Sequence, residues 1–203
     1  MRITFLFLLF ASSSFVYSQE GLQLGVEVSP AWNLNTHRSK ATGIRSSESG
    51  YGFNVGIPLK WWYAENMAFH SGLNFEYMAF DNRVNNTLIG SNRYGSIHLP
   101  LFLNYKLSGG WVALFGGGIN YQFFNQAWSG FGVDISSQIN QFQPYLGAGV
   151  STLMERDNGV FEFGAQARYH FLELWAPGTP TVDDFTSKIL SLDLILRYYL
   201  WNR

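Results

Sequence analysis

Apolar and polar residues alternate one by one through most of this chain. In the final segment, Leu190, Leu192, Leu194, Leu196, Tyr198 and Leu200 fall on one side. Ser191, Asp193, Arg197 and Tyr199 fall on the other. A period of two marks a strand with two chemically different faces. The preceding segment repeats the design, with Phe161, Phe163, Ala165, Ala167, Tyr169 and Phe171 alternating with Glu162, Gly164, Gln166, Arg168 and His170. Six more segments do the same, starting near Leu22, Tyr51, Phe69, Ile97, Trp111 and Phe142. These strands approach or exceed the ~9–11 residues that cross a bilayer at a tilt. Soluble strands average about 5–6 residues. In water, such long apolar rows would form exposed greasy stripes.

The connections alternate in length. Tight links with turn chemistry fall at Ala64–Asn66, Ser108–Gly110 and Arg156–Gly159. Long links are expected at Leu34–Gly50, Asp81–Arg93, Asn125–Gln138 and Leu172–Ser187. The pattern predicts an all-β protein, an eight-stranded antiparallel up-and-down transmembrane β-barrel with short periplasmic turns and longer outer loops. Lipid supplies no hydrogen bonds to a sheet edge, so the eighth strand must pair with the first. The even strand count puts both termini in the periplasm. Trp61, Trp62, Tyr63, Tyr105, Trp111, Tyr198, Tyr199 and Trp201 are expected to form a girdle on the short-turn side, and Tyr51, Tyr77, Tyr94 and Phe123 one at the other interface. Pro58, Pro100 and Pro144 oppose the scheme, because each removes a ladder donor, and call for a bulge or a strand end. Gly116, Gly117 and Gly118 are read as room for strong coiling or for a large interior side chain.

Composition narrows the classes. Charged residues are 13 % and aromatics 18 % of the 203 residues, the reverse of a disordered chain. A net charge of -1 gives no footprint for nucleic acid. With no cysteine there is no disulfide and no thiolate chemistry. Arg2, the apolar run Ile3–Phe10 and Val16-Tyr17-Ser18 read as a signal peptide over 1–18, leaving 19–203 as the barrel domain.

Segments such as Ile97-His98-Leu99-Pro100-Leu101-Phe102-Leu103-Asn104-Tyr105-Lys106 and Pro144-Tyr145-Leu146-Gly147-Ala148-Gly149-Val150 resemble the PorT-like outer-membrane β-barrel domain family of Gram-negative bacteria. The resemblance implies the barrel fold over nearly the whole mature chain and no catalytic residue. It also implies a role in the envelope, related in one branch to secretion. Outer-membrane barrels often finish on an aromatic residue read by the barrel assembly machinery; the ending Tyr198-Tyr199-Leu200-Trp201-Asn202-Arg203 has the aromatics but departs from that pattern in its two final polar residues.

The polar rows supply the candidate chemistry. Glu27, Lys60, Glu76, Lys106, Glu162, Arg168, Asp193 and Arg197 are expected to face the lumen. Glu162 and Arg168 are placed to pair with Asp193 and Arg197 on the next strand. Eight strands leave an interior just wide enough for side chains, so a paired network, not an aqueous pore, is expected. His70, His98 and His170 share the inward faces, but no paired-His spacing points to a metal, and no cofactor is implied. Ser96 and His98 share a face, with Glu76 or Asp81 as the candidate nearby acid, which is far short of a catalytic triad. In the outer loops, Arg38, Lys40 and Arg45 form a basic cluster suited to outer-membrane lipid and lipopolysaccharide. Trp128 and Trp175 are candidate contacts for an envelope partner. Two further readings stay open. One is a soluble lipocalin-like barrel with its apolar rows turned inward, and the other is a lipid-modifying enzyme.

Overall fold

The computed structural model describes residues 21–40, 42–43, 45–84, 87–128, 132–134, 139–172 and 185–200. The expected leader over 1–18, Trp175 and Trp201 lie outside the described residues. The strands are β1 (Leu22–Ser39), β2 (Arg45–Ala64), β3 (Met67–Val84), β4 (Thr87–Lys106), β5 (Trp111–Trp128), a short β6 (Gly132–Asp134), β7 (Phe142–Arg156), β8 (Gly159–His170) and β9 (Phe185–Leu200). All pairings are antiparallel. They run from β4 back to β1, then through β9, β8 and β7 to β5, and the β4–β5 ladder closes the ring. Eight strands make the barrel. β6 lies against the outer part of β5.

Three connections lie at the end where β1 begins and β9 finishes, Leu24 facing Leu200 there. They are the turns at 65–66, 107–110 and 157–158. At the other end the strands run much further than their hydropathy suggests. β1 continues to Ser39 and β2 starts at Arg45, so the link expected over Leu34–Gly50 is mostly an extended hairpin. Likewise β3 and β4 pair up to Val84 and Thr87. In Arg45-Ser46-Ser47-Glu48-Ser49-Gly50 the backbone ladder persists while the apolar row ends. Both faces there are polar, so period-two contrast vanishes although the hydrogen bonds do not.

The prolines sit inside strands. Pro58 faces Gly72. The pairs Ser71–Leu101 and Asn74–His98 place Pro100 across from the same glycine on its other side. The ladder irregularities fall elsewhere, at Trp62/Ala64, Asn82/Arg83 and Gly95/Ser96. For Pro58 and Pro100 the expected bulge or strand end is thus replaced by a glycine between two prolines, whereas Pro144 stands near the start of β7, opposite Ile119. A Cβ on Gly72 would stand 2.6 Å from the Ile57 carbonyl oxygen, so the close approach requires glycine.

The two faces have opposite chemistry. Leu101 and Leu194 on the outer wall are 68 % and 58 % exposed, whereas Asp193 is 1 % and Arg168 0 % exposed inside. Exposed apolar rows also run along β1 (Leu24, Val26, Val28) and β2 (Phe53, Val55, Ile57). A lipocalin-like barrel needs the reverse orientation, which overturns that alternative. The wall is built to be wetted by hydrocarbon.

Candidate functional site

Two charge clusters lie in the lumen. Nearer the short turns, Lys60 Nζ lies 2.8 Å from Glu162 Oε2, and both side chains are fully buried. Arg197 Nε donates to Glu27 Oε2 at 2.8 Å, and its Nη1 stands 3.5 Å from Glu162. Ser29 completes Glu27 at 2.8 Å, and Ser151 completes Glu162 at 2.6 Å. The Tyr199 hydroxyl donates to Glu162 at 3.1 Å, and Lys60 stands 4.7 Å from the Tyr199 ring centre.

Further in, Arg168 organises the second cluster. Its Nε and Nη2 donate to the two oxygens of Asp193 at 2.6 and 2.8 Å, the bidentate fork that suits a guanidinium. Its Nη2 also donates to Glu76. Gln166 and Asn54 donate to Asp193 at 3.1 and 3.3 Å. Ser96 and Asn120 donate to Glu76. Removing ions from water costs several kcal/mol each, so buried charges persist only with such partners. Three cations and four carboxylates are locked in this way.

Beside the charges lie the histidines. His98 shares a hydrogen bond with the Tyr145 hydroxyl. His170 faces the same ring, centres 5.5 Å apart, and His70 packs on Phe102. Among the described residues, no group of three or more His, Asp or Glu is arranged to hold a metal. Ser96 and His98 are engaged with different partners.

Two apolar clusters are also buried inside. Met78, Phe80, Tyr94, Ile139 and Ile189 pack together toward the long-hairpin end, Phe80 and Tyr94 edge to face at 5.8 Å. Phe102, Val112, Leu114, Tyr145 and Ile195 form a second group. Small residues make the space: Gly118 lies under Tyr145, and a Cβ there would meet its hydroxyl at 2.3 Å.

Of the sequence-derived candidates, Glu76, Glu162, Arg168, Asp193 and Arg197 converge in the lumen with Glu27 and Lys60. Lys106 does not. It has the inward parity but ends β4 and is exposed. Tyr199, expected in the girdle, is buried against Glu162 because it shares parity with Arg197. Tyr94, expected at the far interface, is buried in the apolar plug because it shares parity with Ser96 and His98. Trp62 turns from the girdle to donate to Gln23 at 3.3 Å. Trp61, Tyr63 and Phe69 do cluster outside, with Tyr63 and Phe69 stacked at 5.0 Å. Arg38 and Arg45 lie in β1 and β2, not in a loop, and Lys40 is exposed just beyond. Trp128 ends β5 opposite Ser91, and its side chain lies outside the described residues.

No family model and no curated protein matches the chain. Solved structures do. The outer membrane protein AlkL, solved by solid-state NMR in DMPC bilayers, aligns at TM-score 0.51 and 12 % identity, covering 92 % of each chain. Neisserial surface protein A aligns at TM-score 0.45 and 14 % identity, covering 89 % of this chain and 99 % of its own. OprG from Pseudomonas aeruginosa aligns at TM-score 0.45 and 9 % identity, covering 90 % and 97 %. At these identities the likeness is one of fold. The chain is an eight-stranded antiparallel β-barrel of the architecture found in outer-membrane proteins.

Proposed function

We propose that this protein is an integral outer-membrane barrel that serves as an envelope anchor or docking component, carrying neither a conducting pore nor catalysis. The single observation behind this reading is the lumen. Arg168 is shared between Glu76 and Asp193, so the section it crosses holds paired side chains. The exposed leucine and phenylalanine rows supply the lipid-facing surface, and the long polar hairpins supply the surface for contact. The short-turn end, where both termini emerge, faces the periplasm in this reading. The strand-pattern likeness to PorT-like barrels adds docking to an envelope assembly, including one for secretion. Lipopolysaccharide is the expected lipid neighbour of Arg38, Lys40 and Arg45.

Membrane fractionation of the full chain, with heat-modifiable migration as the sign of a folded barrel, tests the placement. The outer-membrane fraction should hold a band that shifts on boiling. Recovery in the soluble periplasmic fraction would refute the proposal. Unitary current steps from the purified protein in a planar bilayer would refute the sealed lumen.

A further inference from the structure

The outer wall is not uniformly bulky. Where β7 and β8 pair, Ala148 faces Ala167 and Val150 faces Ala165. These short side chains sit between Leu192 and Leu194 on β9 and the larger groups of the surrounding wall. They leave an apolar hollow of about 960 Å³, rimmed by Trp32 and Tyr51. Up the same wall, toward the long hairpins, a second recess of about 370 Å³ is lined by Arg38, Arg45 and Lys188 with Thr36 and Thr186. Arg38 and Arg45 are directly opposite in the β1–β2 ladder. Like charges placed so repel each other. Lys188, opposite Thr36 on β9, adds a third cation, its Nζ donating to the Phe171 carbonyl. No acidic side chain lines this recess among the described residues. His37 and Glu48, 3.2 Å apart, belong to the opposite parity of the same two strands.

The spacing of the two recesses is informative. Four residue steps along β9 take Lys188 to Leu192, about 13 Å at ~3.3 Å per residue. Half of the ~30 Å hydrocarbon core is a similar length. A chain end in the hollow and a charged head at the cations therefore match one lipid in one leaflet.

We propose that this wall holds a phosphate-bearing glycolipid of the outer leaflet, one acyl chain in the hollow over Ala165 and Ala167 and its phosphate between Arg38, Arg45 and Lys188. The phosphate relieves the Arg38–Arg45 repulsion through charge-assisted hydrogen bonds. The acyl chain fills a dent that the wall cannot fill itself. This inference rests on the outer-membrane reading, with the long hairpins outward.

The test uses the full-length protein folded in detergent micelles and incubated with lipid A, with dephosphorylated lipid A, or with lipid A plus inorganic phosphate. Lipid retained after gel filtration is counted by mass spectrometry. Lipid A should remain bound near one per barrel, and the dephosphorylated form should be lost. Inorganic phosphate, lacking the chain, should compete only weakly. R38Q/R45Q should weaken retention roughly 25-fold, at about fivefold per cation removed near a charged surface. Ala167→Phe should weaken it while keeping the heat-modifiable band. If that variant does not fold, Ala165→Leu fills the same hollow with less bulk. Equal retention of both lipids, or unchanged retention in R38Q/R45Q or in the hollow-filling variant, would overturn the assignment. A wild-type protein that gives no heat-modifiable band would instead count against the outer-membrane reading itself.

Discussion

Arg168 on β8 reaches across the barrel to Glu76 on β3, and the two strands stand four steps apart whichever way the ring is followed. One guanidinium thus ties opposite walls together, its Nη2 donating to Glu76 while Nε and the same Nη2 grip Asp193 on the adjacent strand.

Removing that tie should be costly. Arg168→Met leaves Glu76 and Asp193 buried without their cation and should lower unfolding stability in vesicles by about 3–5 kcal/mol. The triple change Arg168→Met, Glu76→Gln, Asp193→Asn should recover much of the loss, because no uncompensated charge remains. Urea titration followed by tryptophan fluorescence measures both. A single variant as stable as the wild type would show that the pair does not hold the walls.

The lipid-facing wall makes a different prediction. Leu194→Arg puts a cation among exposed apolar side chains and should cost about 2–4 kcal/mol near the bilayer midplane. The same substitution at the rim position Thr36 should cost far less. Comparing insertion yields of the two variants checks the depth dependence.

Gly118→Ala tests the packing beneath Tyr145. The new methyl collides with the Tyr145 hydroxyl and with the Leu99 carbonyl oxygen at 2.4 Å. Overpacking of this kind costs about 1–3 kcal/mol. The near-ultraviolet circular dichroism of the tyrosines should change along with the stability. An unchanged spectrum would mean that Tyr145 does not rest on this glycine.

Tyr199→Phe removes one hydroxyl from Glu162, which keeps Lys60 and Ser151 as partners. The expected loss is only about 1 kcal/mol. Urea midpoints of the variant and the wild type measure it. A loss as large as that of Arg168→Met would make Tyr199 a principal support of the cluster.

The two-residue period determined the strands and which residues share a face, because a pleated strand sends alternate side chains to opposite sides whatever surrounds it, and the alternation of short and long links gave their antiparallel order. That is why Glu162, Arg168, Asp193 and Arg197 could be assigned to one side from the sequence. Parity also carried the correct face of Tyr199 and Tyr94, although aromatic character near a strand end suggested the interface. The period could not show how far the hairpins extend, since Arg45–Gly50 keep their ladder with polar residues on both faces. Closure of the ring decided which charges meet across the barrel. Arg168 and Glu76 are 92 positions apart, and nothing local links them until eight strands fix the diameter. The same closure set Gly72 between two prolines and gathered three alanine methyl groups and a valine from β7 and β8 into one hollow below a cationic recess.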